Sequence, residues 1–161
     1  MDRDVEGVRA RLICVDPKQI HLIWPHVAPL LRRAIVRTGL SAFADIEREV
    51  LDGNALLWIA ASGEESARAI DAVASTSLHQ TDGGMVCVIT ACAGRKMSRW
   101  LPLIAGIEAY ARDEGCRSIR IFGRLGWQRV LDGYRRTNVV LDKPLQGEPG
   151  FAACRPPQIG S

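Results

Sequence analysis

The chain has 161 residues, which fits one domain, and 47% of them are hydrophobic, enough for a substantial core. The net charge is only +3, and no run approaches the roughly 20 apolar residues of a membrane span, which argues against a membrane-spanning protein. The charged start Met1-Asp-Arg-Asp-Val-Glu contains no apolar signal segment, so we expect a cytoplasmic protein.

The cysteines and histidines argue against disulfides and bound metal. The five cysteines form no C-x-x-C pair, and the three histidines do not combine with them at metal-ligand spacing. Most of the cysteines lie in predicted strands. We therefore expect buried free thiols in a reducing compartment, and no metal site.

The chain begins with a predicted strand and a long helix. Residues 11–15 form a short apolar strand, and Asp16-Pro17 has the N-cap and first-turn residue types of an amphipathic helix. Pro25 and Pro29 interrupt this helix, which predicts a kink or two short helices.

A second helix and an antiparallel meander follow. Residues 41–52 predict an amphipathic helix with Ser41 as its cap, and residues 54–60 predict a buried strand. Residues 69–79 are ambiguous because their first part has helical propensity. A meander needs them as its middle strand before the turn at 81–84, and we favour the strand because tertiary context often overrides propensity.

The middle of the chain predicts a βαβ unit. Residues 85–92 are a continuous apolar run typical of a buried strand, and residues 93–99 are a short basic loop. Residues 100–114 have apolar side chains at helical spacing, and residues 116–122 predict the second strand. These two strands should lie parallel, joined by a right-handed crossover.

The end of the chain predicts a short helix, a strand and a tail. We expect a helix at 128–136 and a final strand at 138–141, which completes a single domain over 1–143. Residues 144–161 are rich in proline and glycine and should be irregular. The predicted fold is therefore α/β, with a mixed sheet of about six or seven strands: an antiparallel N-terminal meander and a parallel βαβ pair, flanked by helices.

Positive charge is concentrated in the second half of the chain. Residues 95–136 contain ten basic and four acidic side chains, whereas residues 41–74 contain two basic and seven acidic ones. At the junction of strand and helix lie Gly94, Arg95, Lys96 and Arg99. Basic side chains beside a helix N-terminus favour an anion site, with solvated surface charge as the alternative. The absence of an aromatic platform or recognition motif argues against nucleic-acid binding.

The predicted order of elements and this loop together resemble the GNAT (GCN5-related N-acetyltransferase) superfamily over roughly residues 11–144. In that family the loop after the fourth strand reads R/Q-x-x-G-x-G/A and holds the acetyl-CoA pyrophosphate through backbone N–H groups. Arg95-Lys-Met-Ser98-Arg-Trp100 is the corresponding stretch, with Ser98 and Trp100 in the two small-residue positions. The resemblance assigns acetyl-CoA binding to Ile89, Thr90, Gly94, Arg95, Lys96, Met97, Ser98 and Arg99.

A second family motif, N-x-x-A-x-x-x-Y, corresponds to Trp127-Gln-Arg-Val-Leu-Asp-Gly-Tyr134, which keeps the tyrosine. The resemblance implies that Tyr134 is the general acid that protonates the departing thiolate. The alternative is a half-buried tyrosine on an amphipathic helix. We assign no general base: Glu108 is interpreted as a solvated residue of the central helix, and Trp127 as a core residue or the wall of a pocket.

Two functions follow from this resemblance. The first is transfer of an acetyl group from acetyl-CoA to an amine in a ternary complex, favoured by the retained Arg95 and Tyr134. The second is a catalytically inactive protein that binds a protein partner through the basic face 95–136. The altered loop favours this second function, as does a similarity of residues 115–127 to small GNAT-like phage and prophage proteins. The sequence does not indicate the acceptor amine, since variable loops build acceptor pockets.

Overall fold

The computed structural model describes residues 11–62, 69–95, 101, 104–122 and 125–147 of the chain. Within them the strands form one five-stranded sheet in chain order. The first four strands pair antiparallel, and the last two pair parallel. The strands are β1 (Arg11–Cys14), β2 (Leu56–Ser62), β3 (Ala69–Thr81), β4 (Gly84–Gly94) and β5 (Ser118–Ile121).

Helices cover both faces of the sheet. The α-helices are α1 (Ile20–Thr38), α2 (Phe43–Leu51) and α3 (Ile104–Asp113), and short 3-10 helices span Pro17–Gln19 and Leu125–Arg129. The apolar sides of α1 and α2 form a core with one face of the sheet, and α3 forms a second core with the other. No described helix combines the length and the apolar composition that a membrane span requires.

The first helix is continuous from Ile20 to Thr38, so the predicted division into two short helices is wrong. Pro25 and Pro29 both lie on its exposed side. The carbonyl groups that lose a hydrogen bond to them therefore belong to exposed turns, where water can replace the missing donor. The opposite side packs tightly, with Val27 and Leu31 fully buried. This packing outweighs the two prolines.

The ambiguous segment at 69–79 is a strand, as predicted. β3 has a neighbour on both sides, β2 and β4, and is buried continuously from Asp71 to Ser77. Two ladders of hydrogen bonds and burial on both faces stabilise the extended conformation by more than the weak helical propensity of its alanines.

The βαβ prediction is also confirmed. β4 and β5 are adjacent and parallel, with α3 in the connection between them. Arg117 fixes the start of β5, since its N–H donates to the Met85 carbonyl at 2.9 Å and its guanidinium donates to the Gly83 carbonyl at 2.8 Å. A Cβ at Gly83 would displace this guanidinium, so glycine at this position of the β3–β4 turn leaves room for the contact.

The predicted secondary structure after β5 is wrong in detail. The described sheet has five strands rather than six or seven, and residues 138–141 have no regular secondary structure. The predicted helix at 128–136 is replaced by the 3-10 helix Leu125–Arg129 and turns. Gly133 explains the interruption, since its φ of 77° does not fit a right-handed helix.

Candidate active site

β4 extends beyond the residues that pair with β5, which leaves part of the β5-side edge of β4 without a described neighbouring strand. Its ladder with β5 ends at Ile89 opposite Ile121, whereas its ladder with β3 continues to Gly94 opposite Ala72. From Thr90 onward, the β5 side of β4 has no partner strand in the described part of the chain. Peptide groups on this side are therefore available to a ligand.

A β-bulge lies where the two strands part. Ser75 pairs with Ala91 and Thr76 with Ile89, so Thr90 is the extra residue of β4. The Thr90 hydroxyl lies 2.6 Å from the Ser75 hydroxyl and donates to the Ser75 carbonyl at 3.2 Å. These contacts hold the Thr90 side chain on the α1 face of the sheet. A role for Thr90 in binding on the α3 face must therefore come from its backbone.

An apolar cleft lies on the α3 face, next to this open edge. It holds about 390 Å³ of empty space, part of it open to solvent. Its walls come from every strand of the sheet, from α3 and from the second 3-10 helix, and include Trp58, Ala74, Ile89, Cys92, Ile104 and Trp127. Trp127 therefore lines a cleft, one of its two predicted roles, and the predicted site residue Ile89 supplies an apolar side chain to it.

Trp58 is fixed in the cleft wall by two contacts. Its indole N–H donates to the Thr76 hydroxyl at 2.9 Å, and its ring meets Tyr110 of α3 edge-on at 5.3 Å. Cys92 lies on the same face, where burial raises the pKa of its thiol to about 12. Cys92 is therefore a neutral wall residue and not a thiolate nucleophile.

Tyr134 lies beside the cleft and is hydrogen-bonded to an acid. Its ring packs against the cluster that contains Ile104 and Leu131, and its hydroxyl donates to Glu108 Oε1 at 2.9 Å. Burial raises the pKa of Tyr134 well above its usual value, and the Glu108 carboxylate raises it further. The phenol, which is protonated at neutral pH even with an ordinary pKa, therefore keeps its proton in alkaline solution as well. The sequence analysis interprets Glu108 as a solvated residue, but in the structure its carboxylate accepts this hydrogen bond. The chain after the second 3-10 helix runs back to α3 and places Tyr134 beside Glu108.

The basic loop predicted at residues 93–99 begins later in the structure. Ala93 and Gly94 belong to β4 and pair with β3, so Gly94 is the last strand residue and not part of a loop. Arg95 follows with an exposed side chain, and its N–H donates to the Asp71 carbonyl at 3.0 Å. Its guanidinium can meet an anion, whereas its backbone donor is already used. The other predicted loop residues, Lys96, Met97, Ser98 and Arg99, lie outside the described residues.

Sequence reasoning missed Trp58 as a wall of the cleft and Glu108 as the partner of Tyr134. Trp58 belongs to an apolar run that predicts a buried strand. Such a run indicates burial but not which face of the sheet carries a cleft. Glu108 and Tyr134 are 26 residues apart, and no local spacing connects them. In the described ranges, no group of three or more potential ligand residues could hold a metal ion.

No protein-family model and no curated protein sequence matches the chain. Solved structures do match. A predicted acetyltransferase from Clostridium acetobutylicum, solved with acetyl-CoA, is 16% identical with a TM-score of 0.58, covering 84% of this chain and 96% of that one. A GNAT family acetyltransferase from Staphylococcus aureus is 12% identical with a TM-score of 0.57, covering 85% and 99%.

An aminoglycoside acetyltransferase from an uncultured soil metagenomic sample, in complex with sisomicin, is 10% identical with a TM-score of 0.60, covering 89% of this chain and all of that one. Identities this low show the fold and not the activity. The chain has the α/β fold of the GNAT acetyltransferases.

Proposed function

We propose that this chain transfers an acetyl group from acetyl-CoA to an amine. The observation that carries the proposal is the parting of β4 and β5 after Ile89 and Ile121. The parting opens a strand edge directly beside an apolar cleft. An open edge with an adjoining pocket suits an extended ligand that carries both amide groups and an apolar end.

The residues at this edge fit acetyl-CoA. The amide groups of its pantetheine arm can hydrogen-bond to the β5 side of residues 90–94, as an added strand would. The apolar wall at Ile89 and Trp58 suits the acetyl end. The exposed Arg95 guanidinium follows the end of β4 and can donate to a pyrophosphate. The family resemblance adds Lys96, Met97, Ser98 and Arg99 to this group.

The proposed reaction is direct attack of an amine on the thioester of acetyl-CoA. The amine nitrogen attacks the thioester carbonyl carbon, the carbon–sulfur bond breaks, the nitrogen loses a proton and the sulfur gains one. Peptide N–H groups at the open edge of β4 stabilise the negative oxygen that develops on the carbonyl. Tyr134 stabilises the departing thiolate by turning its hydroxyl hydrogen bond from Glu108 to the sulfur.

One observation supports the second candidate, a non-catalytic binding protein of phage or prophage origin. Two donors at the candidate site are already used within the chain: the Arg95 N–H by Asp71 and the Tyr134 hydroxyl by Glu108. A protein that retains the fold without the reaction would keep such contacts for stability. The basic face 95–136, which includes the exposed Arg112, Arg120 and Arg129, would then be the surface for a protein partner.

Release of free CoA thiol tests the proposal. The purified chain should release thiol from acetyl-CoA when an amine is added, at a rate proportional to enzyme concentration. The amines should include a polyamine, a lysine-containing peptide and an aminoglycoside, because the acceptor class is open. Binding of acetyl-CoA without amine-dependent release for any of them would favour the second candidate.

A further inference from the structure

The outward side of α1 carries an apolar strip. At 3.6 residues per turn, the exposed Leu22, Pro25, Pro29 and Val36 lie within about 60° of one another around the helix. Leu22 is 73% exposed and Val36 is 71% exposed, and the strip extends for about 21 Å between them. The solvent side of an amphipathic helix usually carries polar side chains. Four aligned apolar residues there indicate a contact surface.

Arginines border this strip on both sides. Arg33 and Arg37 lie along one border and Arg32 along the other, and all three are exposed. Residues 17–44 contain four lysine or arginine side chains and no aspartate or glutamate. The outward side of α1 is therefore apolar along its centre and positive along its edges. This combination is typical of a helix that lies on an anionic interface.

Two acids of the neighbouring helix α2 are engaged elsewhere. Glu47 accepts a hydrogen bond from the indole N–H of Trp24 at 2.7 Å, and Asp45 pairs within α2 at 2.8 Å. In the described ranges, neither Arg33 nor Arg37 forms an ion pair. Their guanidinium groups are therefore available to an anion outside the chain.

The two prolines favour a hydrated partner over a dry protein interface. Pro25 and Pro29 have no N–H, so the carbonyl groups of residues 21 and 25 lack their helical donor. A closely packed protein would bury these carbonyls unpaired, which costs free energy. The headgroup region of a membrane contains water that can pair with them. A second copy of the chain is disfavoured as well, because the arginines of the two helices would repel each other.

We propose that the outward side of α1 docks the chain on an anionic phospholipid membrane. Leu22 and Val36 enter the boundary between headgroups and acyl chains. The bordering arginines donate to lipid phosphates, for which the planar guanidinium offers paired donors. The apolar cleft and α3 lie on the opposite face of the sheet, so docking leaves them accessible. This surface contact is independent of acetyl transfer and needs no membrane-spanning helix.

Co-sedimentation with vesicles tests the proposal. The full-length chain should bind phosphatidylcholine vesicles that contain about 30% phosphatidylglycerol at least about tenfold more tightly than vesicles of phosphatidylcholine alone, and added salt should weaken this binding. Arg33→Gln/Arg37→Gln should weaken it about tenfold or more, because two charges near the anionic surface are lost. Leu22→Gln/Val36→Gln should weaken it about fivefold or more, because glutamine does not enter the apolar boundary.

Two pairs of substitutions outside α1 are the matched controls. Arg120→Gln/Arg129→Gln removes the same charge from exposed positions. Val139→Gln/Leu141→Gln replaces apolar side chains that are 69% and 90% exposed. Both controls should bind the anionic vesicles within about threefold of wild type, since long-range electrostatic effects are screened by salt. All variants should keep the circular dichroism spectrum of the wild type, because every changed side chain is exposed.

Four outcomes would overturn the proposal. The first is absence of sedimentation with either vesicle type, which would leave a protein as the occupant of the strip. The second is equal binding of wild type and Arg33→Gln/Arg37→Gln. The third is loss of binding in Arg120→Gln/Arg129→Gln alone, which would assign the lipid contact to the basic face 95–136. The fourth is a wild-type dimer in light scattering that Leu22→Gln/Val36→Gln converts to a monomer, since the strip would then join two copies.

Discussion

Replacing Tyr134 with phenylalanine should lower kcat for amine acetylation by about tenfold to a hundredfold. The change removes one hydrogen bond to the departing thiolate, and a hydrogen bond to a charged group contributes about 1.5–3 kcal/mol. The affinity for acetyl-CoA should stay within about twofold, because the ring remains in place and only the donor is lost. Steady-state kinetics and calorimetry of the two proteins would measure both quantities.

The pH dependence adds a second readout. The folded-state pKa of Tyr134 is raised above the ordinary tyrosine value of about 10, so the phenol stays protonated throughout the range from about pH 6 to 9. The profile of kcat between about pH 6 and 9 should therefore contain no step from Tyr134, and the profiles of wild type and Tyr134→Phe should be parallel.

Glu108→Gln is the control for this role. In the folded chain, the Tyr134 hydroxyl donates to Glu108, so the carboxylate competes with the thiolate for the only phenolic proton. A glutamine can instead donate to the phenolic oxygen and leave the hydroxyl proton for the sulfur. Glu108→Gln should therefore not lower kcat. A kcat unchanged by Tyr134→Phe would show that the tyrosine has only a packing role.

Trp58→Ala should lower the free energy of unfolding by about 3–5 kcal/mol, the range for removing a buried aromatic side chain. The side chain of Trp58 extends from β2 toward α3, where its ring contacts Tyr110, and the residue is only 7% exposed. The change also leaves the buried Thr76 hydroxyl without its indole donor. Urea denaturation followed by circular dichroism would measure the loss.

Trp58→Phe separates the two contributions. It keeps an aromatic ring in the cleft wall but removes the hydrogen bond to Thr76, so we expect a loss of about 1–3 kcal/mol. Val36→Ala, at an exposed position of α1, should change stability by less than about 0.5 kcal/mol. A loss below about 1 kcal/mol for Trp58→Ala would mean that the cleft wall is not part of the core.

The sheet could be predicted from the sequence because its strands are marked by local patterns. The apolar run at 85–92 and the turn at 81–84 place β3 and β4 correctly, and helical spacing after residue 100 places α3. The prediction for 128–136 failed for a different reason. Its apolar residues suit a helix, but Gly133 stops the helix and the contact of Tyr134 with Glu108 redirects the chain.

The candidate site was only partly predictable, because it depends on register. The sequence indicates that Thr90 lies in a strand, but the bulge that turns its side chain to Ser75 arises only when β3 and β4 pair. In the same way, Gly94 is a residue type typical of loops, but it is a strand residue here because β3 extends far enough to pair with it. Tertiary pairing, not local composition, decides both cases.

The central claim is that the open edge of β4 binds acetyl-CoA, and isothermal titration calorimetry tests it most directly. Wild-type protein should bind one acetyl-CoA per chain, and Arg95→Ala should weaken binding about tenfold to a hundredfold, since it removes a charged donor. Arg33→Ala, an exposed arginine on α1, should bind like wild type. Absence of binding heat at millimolar acetyl-CoA, or equal affinities for wild type and Arg95→Ala, would contradict the claim.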